Sequence, residues 1–430
     1  MTSPNNNYAQ QFRTNVSDKY IIYNSLFAAL PYSGVANVGA LLPILLQTCE
    51  EGYTKEKSPS EIIDYFFDRH TQVATETEKI DHLFKYVQYI ERQVVLFDAI
   101  EDAAFTSVID VEGPGSLKTL IRDVAFTSKQ EALKNKLKNF KVRIVLTAHP
   151  TQFYPANVLG IIHDMGEAIG KNEFNTINQY IQQLGLTPFF NKKQPSPTDE
   201  ALNLMWYLEN IFYHAVGNIY NALVKDVFEG QYEDANPFIE LGFWPGGDRD
   251  GNPFVNAATT IKVAKALRSS IIVCYYRDVR KLKRKLTFSG IDVLLNNLEA
   301  TLYENVFRPD EANPIVKEEI IESLEAIRKK IIEEDHSLYL NKLESLLHKV
   351  QLFGTHFASL DIRQDSRIHH KVLMDIHQNE VQKNGKGFLP NNYEGLTAAE
   401  QIKVLSKIEG KIHAADFTKT ITKDTIESIY

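Results

Sequence analysis

His149 sits in the hexapeptide Thr147, Ala148, His149, Pro150, Thr151, Gln152, directly after Val142, Arg143, Ile144, Val145 and Leu146, a short β-branched apolar run. Such a run reads as a buried strand. The proline after the histidine has a fixed φ and no amide donor, so the strand ends there. The imidazole is left at a strand terminus, where parallel-sheet and barrel proteins place their chemistry. An imidazole changes charge near neutral pH, which suits proton transfer. The plainer alternative is a satisfied structural histidine at a strand end.

Two further stretches carry groups that receive anions. Residues 243–253 contain Trp244, Pro245, Gly246, Gly247, Asp248, Arg249, Asp250, Gly251 and Asn252, after a strand-like run at 238–242. Glycines let backbone amides approach an anion, and an arginine between two aspartates is fixed in direction. A turn rich in turn-forming residues is the structural alternative. Asp248, Asp250 and Asn252 alternate as in a calcium loop, but Pro253 stands where the sharp glycine turn belongs and Thr259 where the closing glutamate does, which rejects that reading. In the third stretch, 352–366, Arg363 closes an apolar, strand-like run, and its fork matches phosphate or carboxylate geometry. Pairing with Asp361 or Asp365 is the alternative there. His356, His369, His370 and His377 follow no ligand pattern, since adjacent histidines point to different sides of a helix, and they read as ordinary polar residues. A titratable group plus anion receivers at three strand ends points to chemistry on a phosphate or carboxylate substrate.

The elements that must position these groups are mostly helical. Residues 26–49 read as buried helix and turn, interrupted by Pro31, Gly34, Gly39 and Pro43 and therefore no membrane span. Ser58, Pro59 and Glu61 read as a capping box, with Ile62, Ile63, Phe66 and Phe67 as the buried face behind it. Over 77–105, Ile80, Leu83, Phe84, Val87, Ile90, Val94 and Phe97 recur at helical steps and are expected to form a buried face. A lysine-rich helix over 129–138 leads into the first strand. Helices are expected at 158–169, 173–184 and 199–228, the last with Trp206, Leu208, Ile211, Phe212, Ala215 and Ile219 inward, and a surface loop near Lys192 and Lys193. More helices are expected at 257–286, 316–334 and 337–350. Arg277, Arg280, Lys281, Lys283, Arg284 and Lys285 read as a solvated face rather than a nucleic-acid patch. About a hundred residues separate the strand ends, too many for plain strand-helix units, so helical insertions must decorate the sheet. The expected class is mainly α, a helix-rich α/β chain.

Length and charge agree. The chain has 430 residues, 43% of them hydrophobic, enough for a large core. A net charge of −8 gives no global attraction to nucleic acid or an anionic membrane, so phosphate-binding residues must form a local pocket. Cys49 and Cys274 lie far apart among apolar neighbours and read as small core residues. The polar N-terminus has no secretory pattern, so a cytoplasmic location is expected.

TAHPTQ at 147–152, GGDRDGNP at 246–253 and LDIRQDS at 360–366, in this order, resemble phosphoenolpyruvate carboxylase. The resemblance implies a (β/α)8 TIM-type barrel with large helical insertions, of which this chain holds the N-terminal portion. Residues 1–138 would be a helical region, and 139–430 the first three or so strands. It implies an enzyme that joins phosphoenolpyruvate to bicarbonate with Mg2+ or Mn2+, giving oxaloacetate and phosphate through carboxyphosphate and an enolate, and so feeding the tricarboxylic acid cycle. The full-length enzyme would be a homotetramer. By resemblance His149 removes the carboxyphosphate proton, Arg363 holds the substrate phosphate, and Trp244 walls the apolar pocket. Gly246, Gly247, Asp248 and Arg249 would lie at its rim.

The chain also departs from the family. Pro155 and Ala156 stand where two arginines are usual, so activation by a sugar phosphate is not expected, and Pro245 replaces a usual methionine. The family's later FHGRGG and GYSDSxKD motifs do not occur, and the chain stops inside what reads as a helix, as a piece of a longer protein would. The metal ligands are then expected beyond residue 430, the piece alone is expected to be inactive, and an open sheet edge favours self-association. Two other readings are a non-catalytic helical scaffold that keeps the motifs, and an anion-binding regulatory protein.

Overall fold

The computed structural model describes residues 4–31, 38–147, 156–189, 195–230, 236–250 and 252–429; His149, Pro155, Lys192, Lys193 and Gly251 lie outside them. The chain packs as two compact units, Met1–Thr119 with Pro150–Gln194, and Leu120–His149 with Pro195–Tyr430. These are units of packing, whereas the expected division at residue 138 is one of domains.

The described residues of the first unit are helical. Ser58 accepts from the Glu61 amide and Glu61 from the Ser58 amide, and Thr75 and Glu78 repeat the arrangement, so both Pro59–His70 and Glu76–Val108 begin on capping boxes. The 33-residue Glu76–Val108 helix is the axis of this core. Of the expected face, Leu83 and Phe97 pack against the core, but most of the buried residues are others. Tyr86, Tyr89, Val95, Leu96, Ala99 and Ile100 are buried, whereas Ile80, Phe84, Val87, Ile90 and Val94 are 44–63% exposed. The helix carries two apolar stripes, and the one containing tyrosine and alanine faces Phe27, Phe66, Phe67, Val158, Ile161 and Met165. Tyrosine brings a large apolar ring, which a count of aliphatic residues alone overlooks. Arg92, also buried, donates to the Leu184 and Thr187 carbonyls and so closes the C-terminal end of Phe174–Leu186. Within residues 26–49 the helix Asp18–Ala28 ends and Val38–Thr54 begins, but Leu46 is 61% exposed and Cys49 is only half-buried, so neither the buried character nor Cys49 as a core residue holds.

The second unit holds the sheet. β1 (Val142–Leu146), β2 (Ile239–Phe243) and β3 (Ser359–Leu360) are parallel, in that order, with Leu146 beside Phe243 and Phe243 beside Leu360. The strand-like run at 352–360 is mostly something else: Leu340–Phe353 is helix, Gly354 and Phe357 take positive φ, and only the last two residues pair. Leu146, Leu241 and Phe243 face a core of helices that includes Val263, Ile271, Leu295, Leu343 and Val350, with Cys274 inside it.

The helix expected at 199–228 is continuous but contains a π turn, Leu208–Phe212, between Pro197–Tyr207 and Tyr213–Asp226. The wider turn shifts the phase of the helix beyond it. Tyr213, Val216, Tyr220 and Leu223 therefore point inward and Ile219 is 38% exposed; Ile211, within the turn, and Trp206, ahead of it, are 48% and 56% exposed, so all three differ from expectation. The basic run is matched by carboxylates: Arg277 pairs with Glu209, Lys281 with Asp278, and Arg280 and Lys283 with Glu299. Asp278 also holds buried Lys349 and the Tyr213 hydroxyl. Burial pushes its carboxyl up, but the Lys349 charge and the hydrogen bonds it accepts carry it below the usual carboxylate range.

Candidate active site

A strand's side chains alternate between faces, and the register decides which of them meet. Leu146, Leu241 and Phe243 take the helix-covered face. Arg143 is paired with Glu240 and Val145 with Gly242, so these four share the opposite face. Arg143 keeps 42% of its side chain exposed there. Beyond the strand ends the Trp244 amide donates to Leu146 O at 3.0 Å and the Asp361 amide to Phe243 O at 2.9 Å. The three strands thus hand the chain on at one common edge. Thr147, half-buried, is the last described residue before His149.

The turn after β2 depends on its glycines. Gly246 has φ +80°, and a Cβ there would stand 2.5 Å from Val263 Cγ2. A Cβ on Gly247 would stand 2.3 Å from the Asp361 carbonyl oxygen. This close approach lets the two loops lace together: the Arg249 amide donates to Arg363 O at 2.9 Å, and the Arg363 amide to Gly247 O at 3.0 Å.

On this edge the Arg363 guanidinium lies over the Trp244 ring, 4.1 Å from its centroid, within cation–π range. Its Nη1 donates to Asp248 Oδ2 at 3.1 Å, and 42% of the side chain is exposed. Neither expected partner is the actual one. Asp361 accepts instead from Trp244 Nε1 at 3.0 Å and Arg143 Nη2 at 2.6 Å, and Asp365 binds Arg367, which draws its carboxyl down to about 2. Arg363 has five donors and gives one to Asp248 among the described residues, so a half-exposed fork on an aromatic platform can take a phosphate or carboxylate.

Arg249, expected at the rim, turns inward. Its side chain is 3% exposed, and Nη1 donates to Asp424 Oδ2 at 2.9 Å. Asp424 Oδ1 in turn accepts from the Ala257 amide at the start of Ala257–Lys283, where helix polarity favours a carboxylate. Arg249 Nε and Nη2 are buried with no hydrogen-bond partner among the described residues. The structure therefore groups Trp244, Gly246, Gly247, Asp248 and Arg363 on one edge and sets Arg249 beneath them. Sequence reasoning missed Arg143 and Asp424, and placed Asp361 only as a partner for Arg363. The histidines after the third stretch serve local structure, His377 accepting from the Leu389 amide and His370 lying 3.4 Å from Glu394.

A model of the family described as phosphoenolpyruvate carboxylase matches residues 88–313 and 294–413. A curated phosphoenolpyruvate carboxylase of Nitrosomonas eutropha is 25% identical over 341 residues, covering 66% of this chain and 36% of the relative. One of Gloeobacter violaceus is 23% identical over 333 residues, covering 62% of this chain and 35% of the relative. The chain thus spans about a third of the length of these curated relatives.

Proposed function

The chain belongs to the phosphoenolpyruvate carboxylase family, and from that premise we propose that its three strands are the opening part of a (β/α)8 barrel whose mouth binds phosphoenolpyruvate. The reaction proposed is carboxylation by bicarbonate. A bicarbonate oxygen attacks the phosphoryl phosphorus, the bond to the enol oxygen breaks, and carboxyphosphate and the enolate of pyruvate result. His149 then takes the carboxyphosphate proton, which releases carbon dioxide and phosphate. The enolate carbon attacks the carbon dioxide to give oxaloacetate, in a pocket closed to water so that the enolate is not protonated to pyruvate. Arg363 holds the phosphate, Trp244 walls the methylene, and Gly246, Gly247 and Asp248 form the rim. Arg249 supports that rim from below. In cells the reaction would be cytoplasmic and would belong to a homotetramer.

The observation that carries this reading is the half-exposed Arg363 fork stacked on Trp244, at the edge where β1 passes the chain towards His149. Mg2+ or Mn2+ belongs to the proposal, but the described residues contain no group of three or more His, Cys, Asp or Glu side chains that could hold a metal. These residues do not fit the ion, and no step above passes through it.

Calorimetric titration with phosphoenolpyruvate tests the reading. Arg363→Met is expected to weaken binding at least about tenfold, Arg363→Lys less so, because lysine keeps the charge but loses the planar fork. Absence of binding by the unaltered chain, or indifference to Arg363→Met, overturns it. We infer further that these 430 residues alone make no oxaloacetate, since the curated relatives are far longer. Turnover in an assay coupled to a reductase, with Mg2+ and bicarbonate present, would refute that.

A further inference from the structure

We propose that Asp361 is a positioning residue that sets the anion affinity of this edge by holding the Trp244 indole beneath Arg363, with Arg143 as its counter-charge across the sheet. The inference rests on the anion-binding reading above and names the device that makes it work. An indole has one hydrogen-bond donor, so the bond from Trp244 Nε1 to Asp361 Oδ2, 3.0 Å, fixes the rotation of the ring. Asp361 is itself fixed from two sides, by its amide on Phe243 O at 2.9 Å and by Arg143 Nη2 on Oδ1 at 2.6 Å.

Arg143 belongs to β1 and Asp361 comes directly after β3, so the side chain must cross β2. It crosses at Gly242, where an added Cβ would stand 3.0 Å from Arg143 Nε and 3.0 Å from Val145 Cγ2. Both Asp361 oxygens are therefore engaged away from Arg363, whose guanidinium meets the flat of the ring, 4.1 Å from its centroid, and Asp248. If the indole turns, Arg363 loses its platform.

Charge and position predict opposite outcomes, which makes the test decisive. Removing the Asp361 carboxylate removes a negative charge and frees Arg143, so electrostatics alone would strengthen anion binding. A positioning role predicts weakening. The chain has two tryptophans, and Trp206→Phe leaves Trp244 as the single indole, read by excitation beyond tyrosine absorption. In that background, acrylamide quenching and calorimetric titration with inorganic phosphate and with phosphoenolpyruvate are compared for Asp361→Ala and Asp361→Asn. Asp361→Ala is expected to raise quenching and weaken both anions roughly tenfold, the scale of one hydrogen bond to a charged group. Asp361→Asn keeps an acceptor for the indole and is expected to restore both readouts.

Unchanged or tighter binding by Asp361→Ala overturns the proposal, as does quenching that does not change. If the Trp206→Phe parent binds neither anion, the functional reading fails, and the indole signal alone decides about Asp361. Should Asp361→Ala not fold, Arg143→Gln at the exposed end is expected to raise quenching by a smaller amount, and no change there overturns the proposal equally.

Discussion

Gly247 is the residue at which the candidate site is tightest. A methyl group there meets a backbone oxygen rather than a flexible side chain, so two loops must separate before Gly247→Ala can be accommodated. The expected cost is about 2 kcal/mol or more, read as a lower urea midpoint, together with lost phosphate binding; an unaffected midpoint would mean the loops part freely. Arg363 was legible by type, since its fork matches a phosphate or carboxylate, whereas the role of Trp244 came only with the family resemblance. Asp361 and Arg143 were not legible, because their partnership needs the register of three strands far apart in the chain. Arg249 was misplaced for the same reason: the carboxylate that draws it inward belongs to Asp424, 175 positions later.

Among the elements, those defined by local rules are legible in the sequence and those defined by packing are not. The Ser58 capping box and β1 result from a few adjacent residues. The buried face of Glu76–Val108 depends on which of two stripes finds a partner, and the phase behind the π turn depends on one wider turn. Helix pairing also creates a pH dependence. His348, on Leu340–Phe353, is 6% exposed with Nδ1 2.6 Å from Asn221 Oδ1 on Tyr213–Asp226. Burial lowers its pKa from 6.5 to about 4. Between those values the unfolded chain binds the proton and the folded one does not, so stability is full above about pH 6.5 and falls as pH drops towards 4, by about 3 kcal/mol in total. Urea midpoints across that range, compared with those of His348→Gln, should lose this slope in the variant; a slope common to both proteins would assign it to other groups.

For the whole molecule, each unit closes its own core, one centred on Glu76–Val108 and the other on the sheet and its helices. No helix among the described residues is long and apolar enough to cross a membrane. Two calorimetric transitions are expected, Leu96→Ala lowering one and Leu343→Ala the other, each by about 3 kcal/mol. A single transition moved by both variants would refute this independence.

The route of the chain between β1 and β2 also has a consequence for synthesis. Residues 150–194 belong to the first unit, the chain rejoins the second at Pro195, and the partner strand of β1 begins only at Ile239. On a ribosome adding about 5–20 residues per second, β1 therefore waits several seconds for the strand that covers its edge. During that interval the nascent chain can finish one folded body while offering a lone ribbon of bare amides to whatever passes, and a chaperone would find its opening there.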